Sequence, residues 1–70
     1  MQYIDLIPKH KIGDVIVFRE KKNEKEVLVQ GIIIAAVANV EDGKYIWVYE
    51  VEYGDLVHYL EDVHIVINAT

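Results

Sequence analysis

Three imidazoles, His10, His58 and His64, and twelve acidic residues are the groups in this chain that could move a proton or hold a metal ion. The spacings between the histidines match no compact ligand signature and there is no Cys to complete a set, so neither a metal site nor a cofactor is expected. A histidine held by one hydrogen-bond partner is the simpler reading of His58. Nucleophiles are equally scarce: with no Cys and no Ser, Thr70 at the chain end carries the one non-aromatic hydroxyl. The carboxylate pairs Glu50/Glu52 and Glu61/Asp62 read as solvated faces, because nothing near them would push their pKa values apart. Gly13-Asp14 and Gly54-Asp55 read as turns, and no Gly-rich phosphate cradle is present. The chain is expected not to be an enzyme.

The elements that would position these groups are strands. Val15 to Phe18 is β-branched and aromatic and leads into the charged segment REKKNEKE, Arg19 to Glu26, which reads as a long polar loop. Val27 to Val40 follows, with three consecutive Ile and no polar residue from Gly31 to Ala38, the pattern of a strand covered on both sides. Gly31 is expected to mark a bulge or sharp bend in it. Glu41-Asp42-Gly43-Lys44 is a hairpin turn, and Tyr45 to Tyr53 is the next strand, its odd residues facing inward in its second half and both faces apolar in its first. Gly54-Asp55, with Gly first, suits a type II′ turn, which pairs Tyr53 with Leu56, Val51 with His58 and Tyr49 with Leu60 on one face, and Glu52 with Val57 and Glu50 with Tyr59 on the other. Glu61-Asp62-Val63 reads as a single helical turn and His64 to Ile67 as a short last strand. At the other end, Tyr3, Ile4, Leu6 and Ile7 are expected to form an extra edge strand or to pack across the bottom of the sheet, with Pro8 closing the segment.

Seventy residues make one domain, 1–70, and a chain this short buries only about 60% of the surface its unfolded form exposes. With 53% hydrophobic residues and no disulfide to help, either the core is tight or apolar surface meets a partner. The N-terminus MQYIDLIPKHK has no apolar stretch of signal-peptide length, and no run approaches the roughly 20 residues that cross a bilayer, so the chain is read as complete, soluble and cytoplasmic. Without a secretory signal, the glycosylation acceptor pattern Asn68-Ala69-Thr70 is coincidence. The formal net charge of -5 disfavours a protein whose affinity would come from neutralising phosphates.

The order of these elements, with the segments IGDVIVF, YEVEYGD and LEDV, resembles SH3-like small barrels, among them Tudor, chromo-barrel and KOW-type domains. The resemblance spans roughly Lys11 to Ile67 and implies an all-β fold: a single small five-stranded SH3-like barrel with a one-turn helix before the last strand, residues 1–10 lying outside as an extension. It carries no catalytic signature. From the Tudor members it implies an aromatic cage for a methylated cation, drawing on Tyr45, Trp47 or Tyr49 with Tyr59 nearby, and on Glu50 or Asp55 for negative charge. The competing reading is that inward Tyr49 and Tyr53 simply fill a small core. From the KOW-type members it implies nucleic-acid binding through Lys21, Lys22, Lys25 and Lys44 with Trp47 or Tyr45 stacking on bases. In that stretch, however, Glu20, Glu24 and Glu26 interleave with the lysines and neutralise most of their field.

One apolar surplus remains. If Ile33 and Val37 face inward with Trp47, then Ile32, Ile34, Ala36, Ile46 and Val48 share the opposite face, an arrangement that suits an interface and, most simply, a symmetric homodimer. The alternative is that strongly curved strands bury both faces within one chain. The functional expectation is a small acidic binding module acting on a protein partner, of the kind a prokaryote or phage uses as an accessory or inhibitory protein. Its carboxylates could imitate nucleic-acid phosphates. Nucleic-acid binding and a structural subunit of a larger assembly are the alternatives; no membrane partner is expected.

Overall fold

The computed structural model describes residues 7–70, and in them the chain is all-β: five antiparallel strands in one sheet plus a single 3₁₀ turn. The strands are β1 (Val15–Lys22), β2 (Lys25–Glu41), β3 (Lys44–Tyr53), β4 (Leu56–Glu61) and β5 (Ile65–Asn68), with the 3₁₀ turn at Asp62–His64. Their order across the sheet is β4-β3-β2-β1-β5, and no ladder joins β4 to β5, so the sheet is open. The extra edge strand expected from Tyr3, Ile4 and Leu6 lies outside the described residues; Ile7 is not in a strand and is largely exposed. No helix among the described residues is long and apolar enough to cross a membrane.

Three two-residue turns shape the meander, and each uses backbone in the left-handed region. Gly54 has φ +62° and Asp55 does not share it, as a type II′ turn requires, and the β3/β4 register follows: Tyr53 with Leu56, Val51 with His58, Tyr49 with Leu60, Glu52 with Val57 and Glu50 with Tyr59. Asp42 and Gly43 are both positive, the type I′ pattern, between Glu41 and Lys44.

The first connection differs from the sequence expectation. Arg19 to Glu26 is not a long loop: β1 runs on to Lys22 and β2 begins at Lys25, joined by Asn23 (φ +50°) and Glu24 (φ +64°). Across the pair Lys21 stands opposite Glu26 and Glu20 turns inward toward His58, while Lys22 faces Lys25 beside the turn. With that loop gone, the chain departs from the resembled pattern at its first hairpin.

A bulge in β2 sets the faces. Ile33 pairs with Val51 and Ala35 with Glu50, leaving Ile34 as the extra residue, so the inward parity reverses there. Ile33 is fully buried, as expected, but beyond the bulge Ala36 is the inward residue, opposite Tyr49, and Val37 faces outward opposite Val48. The expected roles of Ala36 and Val37 are thus exchanged. Gly31 is not the bulge. It sits buried opposite Ile16, where a Cβ would come within 2.5 Å of Val51 Cγ1 and 3.2 Å of Phe18 Cε1.

The inner face holds the core: Ile16 and Phe18 from β1, Ile33 from β2, Tyr49 and Val51 from β3, with Val29, Ala36, Trp47, Tyr53, Leu60 and Ile65 packed around them. A flat sheet would hold β1 and β4 about 14 Å apart, three strand spacings. Instead the Phe18 and His58 rings lie 5.4 Å apart and His58 Nε2 stands 3.9 Å from Glu20 Oε1. The sheet therefore curls until its first and fourth strands meet through side chains, although their backbones do not pair.

Candidate functional site

Strand lengths create one hollow. β4 ends at Glu61 opposite Val48, so the start of β3, Lys44 to Trp47, runs past it, and the chain fills part of the gap by turning into the 3₁₀ helix. His64 Nδ1 accepts the Glu61 N–H at 3.0 Å and caps that turn. The result is a groove of about 330 Å³ with Tyr45, Ile46 and Trp47 on one side and Glu61, Asp62 and Val63 on the other. Ile7 and Lys9 form its third wall. Aromatic faces beside two carboxylates can hold a cation, and the aliphatic residues can take the stem that carries it.

The sequence-predicted set is divided by this geometry. Tyr45 and Trp47 come together in the groove, whereas Tyr49 is fully buried and does not line it. Tyr59 and Glu50 are cross-strand neighbours elsewhere, and Asp55 sits in the β3–β4 turn at the far end of β3. Negative charge at the groove comes from Glu61 and Asp62, which sequence reading left as a solvated pair. The lysines divide as well: Lys21, Lys22 and Lys25 gather at the start of β2, and Lys44 lies beyond its other end. Of these, Lys22 already stands over the Tyr53 ring, 5.9 Å from its centroid, with Nζ 3.5 Å from the hydroxyl.

On the outer face Ile32 and Ile34 are exposed, Ile46 and Val48 half-buried, and Val37 joins them. Glu50 and Glu52 interrupt the stripe on β3, and Ile32 also lines a second hollow with Val15, Gln30, Glu52 and Tyr53.

The histidines do separate jobs. His58 closes the curl against Glu20 and Phe18, and His64 caps the 3₁₀ turn. His10 sits among Tyr49, Asp62 and Asn68, which sequence spacing gave no reason to connect. Among the described residues no group of three or more His, Cys, Asp or Glu is placed to hold a metal ion. Set against known proteins, the chain matches no family model, no curated protein and no solved structure.

Proposed function

We propose that this chain is a small acidic, non-enzymatic module that binds a protein partner, taking a basic side chain and its aliphatic stem into the groove between Tyr45–Trp47 and Glu61–Val63. The observation that carries the reading is the convergence of two aromatic residues and two carboxylates on one hollow in a chain of net charge -5. We read the frame as an SH3-like barrel closed by side chains rather than by a ladder. In support stand the curl that brings His58 to Glu20 and the 3₁₀ turn before the last strand; the tight first hairpin departs from it.

The test is a fluorescence titration of Trp47 with Lys- or Arg-rich peptides. Tyr45→Ala and Glu61→Gln are each expected to weaken binding about tenfold, close to 1.4 kcal/mol. Added salt is expected to weaken binding further, as screening reaches the exposed carboxylates. Quenching by oligonucleotides but not by peptides would overturn the reading in favour of a nucleic-acid partner.

A second reading concerns the outer face. Ile32, Ile34 and Val37 are each more than two-fifths exposed along one strand, which favours self-association into a homodimer. Light scattering across a dilution series is expected to give a dimer that Ile34→Asp converts to monomer. A monomer at every concentration would remove this reading and leave the groove untouched.

A further inference from the structure

The groove lies along an edge of the sheet and not on either face. Consecutive residues of a strand point to opposite sides, yet Tyr45, Ile46 and Trp47 all line the hollow, which only a position beside the strand allows. β3 begins four residues, about 13 Å, before Val48, the first of its residues that pairs with β4, and there the chain leaves the line of β4 through the 3₁₀ turn.

Turn geometry decides which main-chain groups face this slot. A two-residue turn closes on a hydrogen-bonded pair, and such pairs alternate along an antiparallel ladder. Glu41 with Lys44 therefore directs the N–H and C=O of Lys44 and Ile46 to β2, and those of Tyr45 to the opposite side. Tyr53 with Leu56 gives the same parity from the other end of β3, where Tyr53, Val51 and Tyr49 are the residues bonded to β4. Among the described residues no ladder or turn bond reaches the main chain of Tyr45 from the groove side. One donor and one acceptor thus stand open along a strand edge, a template on which another chain can pair.

We propose that the partner enters the groove as an extended segment that adds a strand to β3 at Tyr45, and that its residues there are apolar, basic and acidic in that order. This rests on the groove being the binding site and specifies how it binds. Running antiparallel to β3, as β4 does, the residue opposite Tyr45 exchanges both hydrogen bonds with it and places its side chain on the same face. Trp47 shares that face by alternation. Asp62 belongs to it as well: two-fifths exposed, it has Oδ1 3.7 Å from His10 Nε2, and the His10 ring meets inward Tyr49 edge-on at 5.3 Å. A cation suits that position. Its neighbours fall on the other face. The residue before it lies opposite Ile46 and suits an aliphatic side chain, and the residue after it lies opposite Lys44 and suits a carboxylate. Strand addition draws affinity from the main chain and specificity from alternate side chains.

The probe is acetyl-Gly-Ile-Lys-Glu-Gly-amide, titrated against Trp47 fluorescence unmodified, N-methylated at its Lys and N-methylated at its Glu. In the added strand the Lys N–H donates to the Tyr45 C=O and the Glu N–H points away. Methylation at Lys is expected to weaken binding about tenfold or more, and methylation at Glu by less than about twofold. Exchanging Ile and Glu in the peptide is expected to cost about fivefold. On the protein, Tyr45→Pro removes the groove-facing N–H and no bond to β2, so it is expected to bind about tenfold more weakly than Tyr45→Ala. Hydrogen exchange gives a second readout: the Tyr45 amide is expected to be fast in the protein alone and slowed by peptide, with Ile46, bonded to β2, slow throughout. Equal tolerance of both methyl groups by a peptide that binds overturns strand addition and leaves side-chain capture in the groove standing. The opposite methyl preference overturns the register, and equal binding of the exchanged peptide overturns the residue order. A Tyr45 amide already slow in the protein alone, or slowed as the protein is concentrated, means that the chain itself or a second copy fills the edge, and overturns the proposal. If the unmodified peptide does not bind, the groove reading fails and strand addition with it.

Discussion

Tyr49→Ala is expected to unfold much of the population at room temperature, with a loss of about 3–5 kcal/mol. Tyr49 is fully buried at the centre of β3, between Ala36 on β2 and Leu60 on β4, and is among the largest of the five side chains that form the core. A domain this small commands only about 3–5 kcal/mol from its core, so a cavity of phenol size removes most of the margin. Urea denaturation followed by circular dichroism measures it, with Tyr59→Ala as the comparison. Tyr59 is 68% exposed, and its loss is expected to fall within about 0.5 kcal/mol of neutral. Equal midpoints for the two variants would mean that the core does not lie where the inner face puts it.

The same residue has a pH signature. Burial first, and then its interaction with Asp62, push the Tyr49 hydroxyl up from 10.0 to about 12, so the fold holds the neutral phenol. A raised value means that the unfolded chain gives up its proton first as pH rises. The stabilisation is therefore complete below pH 10 and is lost as pH climbs through about 12. In Tyr49→Phe that alkaline decline is expected to flatten, at the expense of the His10 N–H, which loses its acceptor.

Gly31→Ala is expected to be the second most damaging single change, at about 1–3 kcal/mol. The backbone at Gly31 is not in the left-handed region, so alanine is conformationally allowed and the penalty is purely one of space. Its Cβ would lie 2.5 Å from Val51 Cγ1 and 3.0 Å from the Glu52 carbonyl oxygen. Val51 can turn aside, but the carbonyl belongs to β3 and can move only with the sheet. Val51→Ala should thus recover part of the loss in a double-mutant cycle, giving a coupling that distant sites do not show. Gly54→Ala is the contrast: nothing lies near its Cβ, and its expected penalty of roughly 1 kcal/mol comes from φ +62° alone. A neutral Gly31→Ala would mean that the two strands stand further apart than the close contact requires.

The β3/β4 hairpin was legible because every instruction it needs is local. Gly54 first in a two-residue turn sets the backbone, and alternation from Tyr45 to Tyr53 places Tyr49 and Val51 on the face that ends up buried. The β2–β3 turn at Asp42-Gly43 was legible for the same reason. The β1–β2 turn was not, because its left-handed residues are Asn23 and Glu24. A glutamate at φ +64° is disfavoured on its own and persists because the paired strands on either side impose it. The bulge at Ile34 was hidden within three identical residues, any of which could have been the extra one; which one it is decides that Ala36 faces in and Val37 out.

The sequence by itself determined that the chain is all-β, that β3 and β4 form a hairpin of stated register, and that Tyr45 and Trp47 lie on one side of the same strand. Tertiary structure alone decided what those aromatics face. The groove draws on Ile7 and Lys9, on the start of β3 and on the 3₁₀ turn, and the hydrogen-bonded pair His10 and Asn68, 58 positions apart, gathers Asp14, Tyr49 and Asp62. Period-two patterning reports which face of its own strand a residue occupies. It carries no information on how far a sheet curls or where one strand stops short of its neighbour, because those follow from packing between segments that the chain brings together only when it folds.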